Sequence, residues 1–311
     1  MMRLLIVLSF FFAATCQADS KLNYSTVKGA GDVPLTVVTS GSSERPAIIF
    51  IHGIGQSHYS FHKQLNSGLA DDFYLVAFDL RGHGSSGKPW DTEAYMHSET
   101  WAQDLEAVIS ATQARNPVIV AWSYGTLVLL DYIRQHDTSK IAGVVLSGSL
   151  GALRPYNLPS KDDPNTAEFL HIRQLQLSPD PRDQVAAIER MVGWLTTKPA
   201  PQSEQNVFKA IATMFPVYAR SAMYSRTLDN QDLLDTIIKL PILLAMGADD
   251  NAGMLKDAEL LSQTYPNVCL SVYSGAGHSV FYEQPTRFNT ELRRFAAQAA
   301  DFNSCFVSGD K

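Results

Sequence analysis

Basic charge is in short supply. Lys and Arg number 25 against 31 Asp and Glu, for a formal net charge of −6. No basic stripe interleaved with aromatics offsets that balance, so a nucleic-acid partner is not expected. No stretch holds the roughly 20 consecutive apolar residues of a transmembrane helix. There is no His-Glu-x-x-His or Cys-x-x-Cys pattern, and no glycine cluster matches a dinucleotide loop, so neither a metal nor another cofactor is expected. Internal repeats and long low-complexity runs are also missing. Cysteine is scarce, with three residues in 311. Once Cys16 is set aside with the N-terminal segment, Cys269 and Cys305 remain as an even pair. They either bridge a strand to the C-terminal tail or stay as two buried thiols, and sequence does not fix the distance between their Cα atoms.

What is present divides into a leader and a globular chain. Met1-Met2-Arg3 is a short positive segment, Leu4 to Ala14 is apolar, and Cys16-Gln17-Ala18 offers small residues at the cleavage positions. A signal peptide over residues 1–18, cut before Asp19, is the expectation, and the product is secreted or periplasmic. The segment turns polar at Gln17, so a retained membrane anchor is the weaker reading. A lipoprotein signal ending at Cys16 is weaker still, because Ala13 and Thr15 fit it poorly. Asn23-Tyr24-Ser25 is a glycosylation sequon, meaningful only in a eukaryotic host.

Strand and helix patterns alternate through the next 130 residues. Residues 22–28 and 33–39 read as strands around Gly29-Ala30-Gly31-Asp32, a hairpin. Residues 47–51, 74–78, 118–120 and 143–147 are continuous apolar runs, the mark of strands buried on both faces. Between them, helices are expected over residues 59–69, 99–112 and from about 125 to 136. The fold class is therefore α/β, with a mostly parallel, doubly wound sheet. From about 151 to 239 the rhythm changes. Prolines punctuate the first part, and residues 185–195 and 205–214 look like amphipathic helices. A helical cap inserted before the last two strands, 242–246 and 268–273, accounts for this stretch. The core then comprises 19–150 and 240–311, closed by a helix over 285–297.

The chemistry gathers at strand ends. Ala121-Trp122-Ser123-Tyr124-Gly125 carries the chain from a strand into a helix within a few residues. A serine at such a tip presents its hydroxyl outward and fits a nucleophile elbow, although a serine there could equally cap the next helix. A serine hydroxyl needs a base within hydrogen-bond reach, and the base needs an orienting acid. Among eight histidines, His278 alone follows a glycine-rich turn, Gly275-Ala276-Gly277, directly after a strand. His58, His62, His97, His136 and His171 lack that punctuation. Asp249 and Asp250 both leave the preceding strand, and the order Ser, Asp, His is that of an α/β-hydrolase. Acyl transfer also needs amide donors for the oxyanion. The N–H of Tyr124 and that of Ile54, in His52-Gly53-Ile54-Gly55, are the candidates. His52 itself reads as structural.

Taken together, these segments resemble α/β-hydrolase-fold proteins of the esterase, haloperoxidase and epoxide-hydrolase-like group, over roughly residues 35–297 apart from the insertion. The resemblance rests on H-G-I-G at 52, D-L-R-G-H-G-S-S at 79, A-W-S-Y-G at 121, G-A-D-D at 247 and G-A-G-H at 275. Alanine stands at 121 where the elbow usually has glycine. The family's G-x-x-D spacing selects Asp250 as the acid, with Asp249 as the alternative. It also implies a structural role for the segment from Asp79 to Ser86. Dehalogenases and epoxide hydrolases in this group use aspartate at the elbow, and Ser123 argues against both.

The expected function is a secreted serine hydrolase that cleaves a small-molecule carboxylic ester through an acyl-enzyme. A cofactor-free perhydrolase, a lactonase or an aminopeptidase would use the same residues. A ligand-binding protein with a vestigial triad is the alternative from another class.

Overall fold

The computed structural model describes residues 22–155 and 164–299. The expected leader over residues 1–18 and Cys305 lie outside the described residues. Cys269 is disulfide-bonded; the expectation that Cys305 is its partner also falls outside them.

Eight strands form one sheet. They are β1 (Asn23–Lys28), β2 (Pro34–Ser40), β3 (Ala47–Ile51), β4 (Tyr74–Phe78), β5 (Val118–Trp122), β6 (Gly143–Ser147), β7 (Ile242–Gly247) and β8 (Val268–Tyr273). Their spatial order is β1-β2-β4-β3-β5-β6-β7-β8. The pairs β1–β2 and β2–β4 are antiparallel, and the other five are parallel. Every residue of β3, β4, β5 and β6 is buried, as apolar strands covered on both faces must be. Alternate side chains feed two separate cores. Ile49, Ile51, Ile119 and Ala121 join one, while Ile48, Phe50, Val120 and Trp122 join the other.

The chain leaves β3 toward β4 and then returns to β5 on the other side. The strand order therefore reverses between β3 and β5, and the crevice at the carboxyl ends of a parallel sheet opens at such a point. The loop after β3 and the turn after β5 are the two segments that carry the Ile54 and Ser123 candidates.

Eleven α-helical segments are found among the described residues, three of them single turns. α1 (His62–Leu65), α2 (Ser98–Thr112) and α3 (Gly125–Gln135) belong to the first half. The continuous helix expected over 59–69 is instead broken. A 3-10 turn at His58–Phe61, the short α1 and a second 3-10 turn at Gly68–Asp71 take its place. Ser67 accounts for the second break, since its hydroxyl accepts from the N–H of Leu69, while Ser57 caps the first turn through the Tyr59 N–H. Such local bonds compete with helix continuation. The 29–32 connection does join antiparallel strands, through a 3-10 turn whose Ala30 N–H is held by Asp104 at 2.9 Å.

Five helices lie between β6 and β7: α4 (Pro164–Leu177), α5 (Pro181–Trp194), α6 (Gln202–Thr213), α7 (Val217–Ser225) and α8 (Leu234–Ile237). Sequence patterning exposed only α5 and α6. Two of the prolines that suggested irregular chain, Pro164 and Pro181, instead start helices, where a missing N–H costs nothing. This cap reaches the carboxyl edge of the sheet, where Trp194 meets His278 and Phe215 stacks on His83. α9 (Ala252–Thr264), the single turn α10 (Val280–Glu283) and α11 (Pro285–Gln298) complete the chain.

Candidate active site

The turn after β5 holds a serine in a conformation that serines avoid. Ser123 has φ of 53°, in the left-handed region, and it is one of few non-glycine residues there among those described. Such strain persists only where the surroundings enforce it. Here the Ser123 N–H donates to the Ser147 carbonyl at 2.9 Å, and α3 starts at once at Gly125. A Cβ on Gly125 would sit 2.4 Å from the Ile51 carbonyl oxygen, so glycine is required at that position. Ala121, by contrast, lies within β5 in an ordinary extended conformation, paired with Ile51 and Leu146. That asymmetry explains why alanine is tolerated at the first position of the pentapeptide.

His278 arrives from the loop after β8. Its Nδ1 donates to Asp250 Oδ2 at 2.9 Å, with both side chains more than nine-tenths buried. The adjacent Asp249 does not take part. Its Oδ2 accepts from Thr197 Oγ1 at 3.3 Å, and its main-chain N–H donates to the Ala276 carbonyl. The two loops lie so close that a Cβ on Gly247 would fall 2.0 Å from the Gly277 carbonyl oxygen. The indole of Trp122 ties this loop to the serine turn, donating from Nε1 to the His278 carbonyl at 2.8 Å.

The loop after β3 closes the third side. A Cβ on Gly53 would meet Ser123 Cβ at 3.0 Å and Ser123 Oγ at 3.5 Å. His52 is fully buried and spans two loops: Nδ1 lies 2.7 Å from the Gly53 carbonyl, and Nε2 accepts from the Leu80 N–H at 2.9 Å. Only the neutral tautomer with the proton on Nδ1 satisfies both contacts, and burial lowers this imidazole to about 4 despite Asp79 nearby. Because a peptide unit is planar and trans, fixing the Gly53 carbonyl fixes the Ile54 N–H in the opposite direction. Neither the Ile54 N–H nor the Tyr124 N–H is bound by another group among the described residues.

A family model for the alpha/beta hydrolase fold matches residues 46–285. The chain belongs to that family. The hydrolase is 25% identical over 260 residues to the AB hydrolase superfamily protein YisY of Bacillus subtilis, a match covering 80% of this chain and 91% of that one. It is also 25% identical over 280 residues to epoxide hydrolase 1 of Caenorhabditis elegans, covering 85% of this chain and 68% of that protein. Among solved structures, the esterase RhEst1 from Rhodococcus sp. ECU1013 superposes with a TM-score of 0.75 at 27% identity, over 89% and 99% of the two chains.

Other residues hold the hydrolase's site without entering it. The Tyr124 side chain points away from the serine into the core, where its hydroxyl accepts from Arg226 at 3.0 Å. Burial raises that phenol to about 12. Arg226 in turn grips Asp131 of α3 through two bonds of 2.7 and 2.6 Å. Asp79 Oδ1 accepts from both the N–H and Nδ1 of His58, and Oδ2 accepts from the Ser85 N–H. Burial pushes this carboxyl up, but the His58 bonds prevail and leave it lowered. Arg81 is buried on Asp104, with two contacts of 2.6 Å. The segment from Asp79 to Ser86 therefore shapes the turn beside the site.

A cavity of about 10 Å³ lies between the cap and the core, bounded in part by Gln56, Trp122, Leu195, Phe208 and Ser279; neither Ser123 nor His278 lines it. Trp194 packs its ring 4.6 Å from that of His278. Neither Trp194 nor Glu283, which bonds to the peptide before His278, was distinguishable in sequence. One is an aromatic on an amphipathic helix, and the other is a single carboxylate directly after the apolar run Val280-Phe281-Tyr282.

Proposed function

We propose that this hydrolase is a serine esterase that cleaves small carboxylic esters through an acyl-enzyme intermediate. Ser123 attacks the ester carbonyl, and His278 Nε2 takes its proton and later returns it to the leaving alcohol. Asp250 keeps the imidazole in the Nδ1–H tautomer and stabilises the imidazolium as it forms. The amides of Ile54 and Tyr124 receive the oxyanion. Water then attacks the acyl-enzyme by the same route in reverse. One observation carries the reading: Ser123, strained at φ of 53°, is bridged through the Trp122 indole to the loop bearing the His278–Asp250 pair. The name of the Rhodococcus relative agrees with ester chemistry.

The deciding experiment is turnover of a nitrophenyl ester series by the mature protein and by Ser123→Ala. Loss of turnover in the variant with an unchanged fold supports the assignment, and undiminished turnover overturns it. Peracid formation, lactone opening and aminoacyl amide cleavage, run alongside, distinguish the perhydrolase, lactonase and aminopeptidase readings. A fluorophosphonate that leaves Ser123 unlabelled would mark a binding protein instead.

Export belongs to the same proposal and rests on the residue pattern of Met1 to Ala18. A mature N-terminus at Asp19 in the extracytoplasmic fraction is the expected result, and an intact Met1 on cell-retained protein excludes it.

A further inference from the structure

The helical cap and the loop carrying His278 are fastened by one carboxylate. Glu283 ends the single turn α10, and its side chain folds back over the loop. Oε1 accepts from the Gly277 N–H at 2.7 Å, and Oε2 accepts from the Thr197 N–H at 2.8 Å. Gly277 immediately precedes His278. Thr197 lies three residues beyond Trp194, the cap residue packed on the His278 ring. The contact is close: a Cβ on Gly277 would meet the Thr197 nitrogen at 3.2 Å and Glu283 Oε1 at 3.6 Å. Thr197 also donates its hydroxyl to Asp249, beside the acid. The same strap of cap therefore touches both loops that meet at His278.

Placing a carboxylate here has a cost. Burial raises the Glu283 carboxyl above its ordinary value, and the Asp249 charge adds to that, against the pull of the Gly277, Thr197 and Lys198 N–H groups. Those main-chain donors offset the desolvation only in part, although bonds to a charged acceptor are stronger than neutral ones. No substrate role is needed to account for its place. It holds two main-chain segments that have no direct main-chain hydrogen bond to each other among the described residues.

We propose that Glu283 is a positioning residue that couples cap seating to the alignment of His278. Its two oxygens clamp the peptide before the imidazole to the strap after Trp194, so the base is aligned when the cap is closed. This rests on reading His278 as the base, and small misplacements of a reacting group cost on the order of 100-fold in rate.

The test compares wild type with Glu283→Gln and Glu283→Ala. An amide keeps one acceptor and faces the other N–H with a donor, so Gln loses one arm and Ala loses both. The rate of fluorophosphonate labelling at Ser123, per folded molecule, should fall about tenfold in Gln and about 100-fold in Ala. Amide hydrogen exchange should rise in residues 195–198 and 275–279 together. A residue with a purely structural part would lower the unfolding midpoint while leaving labelling per folded molecule intact, and that result overturns the proposal. Exchange that rises in only one of the two segments also overturns it. If Glu283→Ala does not fold, Glu283→Gln carries both measurements. Wild type that fails to label at Ser123 counts against the nucleophile alone, and the exchange experiment still decides the clamp.

Discussion

The Trp122 indole N–H donates to the main-chain carbonyl of His278 across 2.8 Å, and its ring lies 5.7 Å from the imidazole. The residue preceding the candidate nucleophile thus fixes the backbone of the candidate base. Trp122→Phe keeps most of the ring packing and removes the donor, leaving a buried carbonyl unpaired. That loss should destabilise the protein by about 1–3 kcal/mol and lower kcat more than KM is raised. Urea denaturation and ester kinetics measure the two effects, and a variant with wild-type kcat would separate Trp122 from the site.

The two adjacent aspartates should behave very differently. Asp250→Asn replaces the partner of His278 Nδ1 with a group that can stabilise the wrong tautomer. A loss on the order of 10⁴-fold in kcat is expected, as for the acid of other triads. Asp249→Asn alters the contact with the Thr197 hydroxyl and removes a charge that acts on Glu283, but it leaves the His278–Asp250 bond in place, and its kcat should remain within a few-fold of wild type. Steady-state kinetics of both variants decide the matter, and equal losses would refute the assignment of the acid to Asp250.

Acid should weaken the fold through His52. Its imidazole titrates at about 4 in the folded protein because burial disfavours the charge, against roughly 6.5 in an unfolded chain. Between those values the unfolded chain binds the extra proton, so stability falls as pH drops from about 6.5 to about 4. The contribution is on the order of 3 kcal/mol. His83, also fully buried and held well below the ordinary value by burial, adds in the same direction. Urea midpoints at several pH values test this. His52→Asn should flatten the profile over that interval, and an unaltered slope would show that His52 is not its source.

The Arg226–Asp131 pair, with both side chains under one-tenth exposed, anchors the chain beyond α7 to the helix that begins after Ser123. Arg226→Met leaves a buried carboxylate unpaired and should cost about 3–5 kcal/mol. Adding Asp131→Leu should recover most of that loss, because the second change removes the stranded charge. Equilibrium unfolding of the single and double variants gives the coupling, and strictly additive losses would contradict it.

Much of the site was legible in the chain because its parts are local. Gly125 and Gly247 stand where only a hydrogen fits against a neighbouring carbonyl, and Ser123 occupies a turn whose sharpness is written in its small flanking residues. Strands buried on both faces likewise announce themselves as unbroken apolar runs. The helix expected over 59–69 is interrupted where the Ser67 hydroxyl offers the Leu69 N–H a closer partner, a competition that apolar periodicity does not register.

The cap was the least legible part. Its helices bury their faces against loops distant in sequence, and its prolines mark helix starts as readily as irregular chain. Sequence by itself marked the strands and the candidates for nucleophile, base and amide donors, since each is set by residues within a few positions of one another. The tertiary structure alone showed which aspartate meets His278, and that Trp122 and Tyr124 face the protein rather than the opening. It alone revealed Trp194 and Glu283 beside the imidazole. Those contacts join segments far apart in the chain, and their energies depend on distances of 2.7 to 4.6 Å that exist only once the sheet edge and the cap have come together.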